Sequence, residues 1–100
     1  IPYEKRKKLN PFNNNDYRNS LYLRFEVKDK SGVLSLITNR LAKYKISIKR
    51  IIQTPDKKNS RATIVIITHK TNELNARECL KIFKKNRFII KFPTLIRLYN

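Results

Sequence analysis

One hundred residues make at most one small domain, whose modest core would gain from a partner chain. The formal charge is +17, from 24 Lys and Arg against 7 Asp and Glu, and such a field favours polyanions. A single glycine excludes a P-loop or dinucleotide glycine motif, a single cysteine excludes an internal disulfide, and one cysteine with one histidine excludes a zinc site.

The opening stretch, "IPYEKRKKLNPFNNNDYRNS", has little apolar content and no period. Pro2, Pro11 and three consecutive asparagines predict a linker or extended arm over residues 1–20, ahead of a folded domain over 21–100. Leu21–Lys28 then alternates strictly. Leu21, Leu23, Phe25 and Val27 point one way, and Tyr22, Arg24, Glu26 and Lys28 the other, which is the pattern of a half-buried strand. From Val33 the period changes. Val33, Leu34, Ile37, Leu41 and Tyr44 recur at helical spacing, so an amphipathic helix is predicted from Gly32 to about Lys45.

The β-branched run 46–54 predicts a second strand, and "PDKKNS" a turn in which Pro55 and Asp56 supply the turn chemistry. Residues 62–69, "ATIVIITH", form the most apolar strand, with His69 as a surface or turn residue at its end. A helix follows from about Glu73 to Lys85, capped by Thr71 or Asn72, with Ala76, Cys79, Leu80 and Phe83 on its apolar face. Cys79 on that stripe reads as an inert core residue. The last strand, 94–100, is entered through Pro93.

The order β-α-β-β-α-β predicts an α+β fold: a ferredoxin-like two-layer sandwich, with a four-stranded antiparallel sheet and both helices on one face. The strand at 62–68 is apolar on both of its faces, with Ile64 and Ile66 on one and Val65 and Ile67 on the other. The sheet face away from the helices therefore needs a cover: a second subunit, another domain or the arm.

The same plan hosts RNA recognition motifs, which stack bases on exposed aromatics of the two central strands. The third strand has no aromatic residue and the first offers only Tyr22 outward, so nucleic acid is disfavoured despite the charge. The charge also has a plainer source. Phe, Tyr, Ile, Asn and Lys abound while Gly, Ala, Arg and Pro together are few, a balance that A/T-rich codons produce, and the basic residues are spread along the whole chain. The acids are too few and scattered for a catalytic pair, so the chain by itself is not expected to be an enzyme.

The one stretch with site chemistry is "KDKSGVL", residues 28–34, which holds the single glycine at a strand-to-helix junction. Unpaired N–H groups at a helix start suit a carboxylate, and Gly32 lets a ligand approach the backbone. Asp29 could face an ammonium group, so the pair of features suits a free amino acid. The alternative is a glycine required only by a tight turn, with Ser31 or Asp29 as a simple helix cap.

Asp29-x-x-Gly32-Val33-Leu34 matches the signature of ACT domains. With "THKTNE" and the closing "PTLIRL", residues 21 to 99 resemble the ACT domain at the C-terminus of bacterial homoserine dehydrogenases, and the polar arm resembles the connector after their catalytic domain. Ser31 departs from the pattern, because these domains usually carry proline there.

The resemblance implies a regulatory domain that binds an amino acid, threonine for this enzyme family, at an interface between paired domains. It implies a loop side of the site made by Asp29, Lys30, Ser31, Gly32, Val33 and Leu34, with Gln53 from the facing strand. It implies that NAD(P) belongs to a catalytic domain outside this chain, which itself carries no cofactor or metal. A homodimer or larger assembly, a cytoplasmic location and no membrane partner complete the expectation. An ACT module used only for assembly, and a basic nucleic-acid-binding domain of the same fold, are the alternatives.

Overall fold

The computed structural model of the protein describes residues 18–99. The arm expected at 1–20 lies outside the described residues except for its last three. Those three belong to the first strand, β1, which runs Arg18–Lys28. Then follow helix α1 (Val33–Lys43), strands β2 (Ile48–Asp56), β3 (Arg61–Thr68) and β4 (Thr71–Asn72), helix α2 (Glu73–Lys81) and strand β5 (Thr94–Leu98). The predicted ferredoxin-like plan is present, with one short strand added.

The sheet is antiparallel throughout. β3 lies between β2 and β1, and the other edge of β1 is shared by β4, β5 and a bridge to Ile89. β4 takes Arg18 and Asn19, and β5 takes Ser20 to Arg24. The backbone pairs Lys28 N–H to Phe88 O (2.9 Å) and Ile90 N–H to Glu26 O (2.8 Å) complete that edge. β1 is thus bonded along both edges, and its alternation reflects one face in the core and one turned away from the helices.

Both helices pack on one face. Leu21, Leu23, Phe25 and Val27 of β1 and Ala62, Ile64 and Ile66 of β3 meet Val33, Ile37 and Leu41 of α1 and Ala76, Cys79 and Leu80 of α2 in one core. A 3-10 turn, Ile82–Lys85, extends α2 and drives Phe83 edge-on into Phe25, with ring centroids 5.4 Å apart. The predicted single helix to Lys85 is therefore an α-helix with a tightened last turn, a common way to end a helix.

The boundaries on either side of β2 also differ from the prediction. β2 begins at Ile48 rather than 46, because Ile46 belongs to the end of α1. Lys45 is left-handed (φ 59), and the N–H groups of Lys45 and Ile46 return to the carbonyls of Ala42 and Leu41. This is a Schellman motif, and the buried pair Ile46 and Leu41 supplies its apolar contact. Pro55 and Asp56 are not turn residues but the end of β2, opposite Ala62 and Arg61. β2 is an edge strand, the place in a sheet where proline is tolerated. The turn is carried by Lys57–Asn59 and left-handed Ser60.

The face away from the helices is apolar across four strands. Val65, Ile67 and Tyr22 are half-buried there, while Ile52 and Ile96 are 45% and 51% exposed. Among the described residues no helix is long and apolar enough to cross a membrane.

Candidate functional site at the start of the first helix

The chain leaves β1 at Lys28 and enters α1 at Val33 through a turn closed by Val33 N–H to Lys30 O, 3.3 Å. Gly32 sits at φ 89, ψ −9. That is the third position of a type II turn, which requires positive φ, and Ser31 holds the second position, where proline is favoured. The preference follows from the geometry of the turn, since proline fixes φ near the value that position needs.

Two further residues have positive φ, Lys45 at 59 and Ser60 at 53. Both lie in the left-handed well that an L-residue can enter at modest cost. Gly32 lies wider, where glycine alone is at ease. A Cβ added at Gly32 would meet no atom within 4 Å, so the glycine answers a backbone demand and leaves open space above the turn.

Neither Ser31 nor Asp29 caps the helix. Gly32 is the N-cap residue with no side-chain cap bond, and the first turn carries no acid. Leu36 N–H reaches Gly32 O at 2.9 Å, whereas the N–H groups of Leu34 and Ser35 find no acceptor among the described residues. They are the free donors expected at an uncapped helix start. The Asp29 backbone is pinned by its N–H to Ser60 O, 2.8 Å. Its carboxylate is exposed and forms no ion pair among the described residues.

A cavity of about 260 Å³ lies at this junction. Asp29, Lys30, Ser31, Gly32, Val33 and Leu34 line its loop side, and Gln53 reaches it from β2. All seven residues singled out in the sequence therefore border one space. Val27, Ala62 and Ile64, on the helix-facing side of β1 and β3, form an apolar floor that the linear sequence did not mark. The register explains their presence: Gln53 stands opposite Ile64, and Ala62 opposite Val27.

The second helix starts differently. The Asn72 side chain accepts from Asn75 N–H at 3.1 Å, as a cap should. Glu73 follows, nearly fully buried, and accepts from Arg97 Nη2 at 3.1 Å, from Arg97 Nε and from Arg77 Nε at 3.0 Å. The Arg97 bonds hold its carboxyl below the ordinary carboxylate range, against the opposing effect of burial. Cys79 is buried and its thiol is pushed up to about 11, chiefly by that burial. It lies against the Arg40 carbonyl at 3.6 Å, as the inert core residue predicted. His69 is exposed at the end of β3, as predicted. Among the described residues no group of three or more potential ligands could hold a metal.

This fold, with a glycine turn between its first strand and first helix, defines the class. The model of the ACT domain matches residues 21–88, so the chain belongs to the ACT domain family. Within it, homoserine dehydrogenases from Helicobacter pylori and Neisseria gonorrhoeae are each 34% identical over 79 residues. Those residues are 79% of this chain but only 19% and 18% of the two enzymes, so the chain spans about a fifth of the length of the curated relatives it matches. The crystal structure of a homoserine dehydrogenase from Thiobacillus denitrificans superposes with a TM-score of 0.73 and 29% identity, covering 83% of this chain and 18% of that one.

Proposed function

We infer that this chain is the amino-acid-sensing regulatory domain of a homoserine dehydrogenase, and that free threonine is its effector. The observation that carries this reading is the junction cavity, bordered by all seven signature-loop and facing-strand residues. The uncapped N–H groups of Leu34 and Ser35 would take the α-carboxylate, aided by the positive end of the α1 dipole. Asp29 would take the α-ammonium. Gln53 and the apolar floor of Val27, Ala62 and Ile64 would meet a small side chain bearing one hydroxyl.

ACT domains bind amino acids in pairs, and the exposed Ile52 and Ile96 give this one reason to pair. A homodimer or larger assembly is part of the reading, with the residues ahead of β1 as connector to the domain. Hydride transfer and NAD(P) binding would belong to a catalytic domain elsewhere in the parent protein, in the cytoplasm.

A thermal-shift panel of the twenty amino acids tests the reading. A ligand that binds only the folded state at a hundredfold excess over Kd stabilises it by about 2.7 kcal/mol. For a domain of this size each kcal/mol moves the midpoint by roughly 4–8 °C. L-threonine should raise the midpoint, and Asp29→Ala should lower the affinity by at least about tenfold, or ~1.4 kcal/mol. If no amino acid moves the midpoint of protein shown to be associated, the domain serves assembly alone.

A further inference from the structure

A second cleft, of about 480 Å³, adjoins the first across Lys28 and Lys30. Four cations border it: Lys28 at the end of β1, Lys30 in the glycine turn, Arg61 at the start of β3 and Arg87 beyond α2. We propose that this cleft binds the diphosphate group of a small molecule.

The frame that carries the cations is held by backbone bonds. Lys28 N–H to Phe88 O (2.9 Å), Asp29 N–H to Ser60 O (2.8 Å) and Ile90 N–H to Glu26 O (2.8 Å) tie together the three segments that contribute them. Arg87 lies over the ring of Phe88, 5.3 Å from its centroid, a contact that favours the guanidinium in that place.

None of the four cations pairs with a carboxylate among the described residues. The nearby acids form no direct ion pair with them among the described residues. Asp56 stands opposite Arg61 in register but accepts from Asn59 Nδ2 at 2.9 Å, and Asp29 borders the other cavity. Lys28 and Arg61 are also directly opposite each other on β1 and β3. Like charges so placed weaken a sheet, and with Asp56 on the far side of Arg61 the cross-strand row of Lys28, Arg61 and Asp56 still keeps a net positive charge.

Charge and shape select the ligand. A phosphate monoester carries about −1.5 to −2 near neutral pH and leaves much of the four cations' charge unmatched, whereas a diphosphate carries more charge and spans more of them. Asn59 and Ser60 add neutral hydrogen-bonding groups, and Ile89 and Ile90 give the cleft an apolar wall for the remainder of an organic diphosphate. Nucleic acid fits less well. The basic groups converge on a cleft instead of following a strip, and the open sheet face beside it carries Ile52, Val65, Ile67 and Ile96 rather than a row of rings.

Titration calorimetry of the whole chain with inorganic pyrophosphate, at constant ionic strength, tests this. Saturable binding is expected at one ion per chain, at least tenfold tighter than orthophosphate. The double variant Arg61→Gln/Arg87→Gln should weaken it at least tenfold, and the single Arg87→Gln at least threefold should the double variant fail to fold. Lys43→Gln/Lys49→Gln, which removes as much charge elsewhere, should change it less than twofold. Equal losses in both double variants would show a diffuse response to the overall charge and overturn the proposal. So would a single-stranded oligonucleotide that binds more tightly and loses affinity equally in both. The threonine response should persist in Arg61→Gln/Arg87→Gln, so failure here is distinguishable from failure of the amino-acid site.

Discussion

The two helices begin in opposite ways. α2 starts closed: Asn72 caps it, Glu73 stands in its first turn, and Arg97 and Arg77 complete the carboxylate's partners. α1 starts open: glycine caps it, no acid enters its first turn, and the N–H groups of Leu34 and Ser35 find no acceptor among the described residues, beside a cavity that Leu34 lines. Both ends carry the same partial positive charge. One is neutralised by the chain's own side chains and serves stability. The other meets no such group among the described residues, and it is the end that the proposed amino-acid site uses.

The sharpest way to break this contrast is to force a side chain onto the open start. Gly32→Val places a β-branched residue at φ 89, and the strain should cost roughly 1–3 kcal/mol. Because a Cβ there meets no atom within 4 Å, the loss would come from the backbone and not from a clash. Chemical denaturation should show a lower midpoint with an unchanged slope.

Next in size is the closed start. Glu73→Ala removes the carboxylate that joins α2 to β5. The two arginine side chains are about half exposed, at 52% and 49%, so solvent screens the pairs. We expect a loss near the low end for charged hydrogen bonds, about 1.5 kcal/mol. The pH dependence follows from the sign of the shift. The folded carboxyl titrates below its unfolded value of about 4.3, so its stabilisation is present above that value. It is lost as pH falls through the folded pKa. Melting curves of wild type and Glu73→Gln should differ at neutral pH and converge in acid.

The smallest effect has the opposite sign. Ser31→Pro restores the residue usual at the second position of this turn, where no hydrogen bond from Ser31 N–H is found among the described residues. It should stabilise the fold by about 0.4–1 kcal/mol, mainly by restricting the unfolded chain. If the loop is a ligand site, the same change should tighten threonine binding, as a pre-organised loop loses less freedom on binding. A stabilised protein with unchanged threonine affinity would separate the turn from the site.

How much of this was legible in the sequence differs between the two helix starts. The open one could be read because its residues are consecutive: alternation ends at Lys28, helical spacing begins at Val33, and the lone glycine lies between. The closed one could be read only as far as its Asn72 cap. Glu73 and Arg97 lie 24 residues apart, and only the pairing of β5 with β1 brings Arg97 under α2. β4 was missed because two residues carry no period. Pro55 was misplaced because local turn preference cannot tell an edge strand from a loop. The floor of the cavity and the convergence of Arg61 and Arg87 both depend on sheet register, which a linear pattern does not contain.

The most direct measurement is an NMR titration of the whole chain with L-threonine, following the backbone amides of the two helix starts. The account predicts saturable shifts at Gly32, Leu34 and Ser35, with those of Glu73, Leu74 and Asn75 unmoved and the response much reduced in Asp29→Ala. Shifts confined to the α2 start, or none at either start in protein shown to be associated, would contradict it.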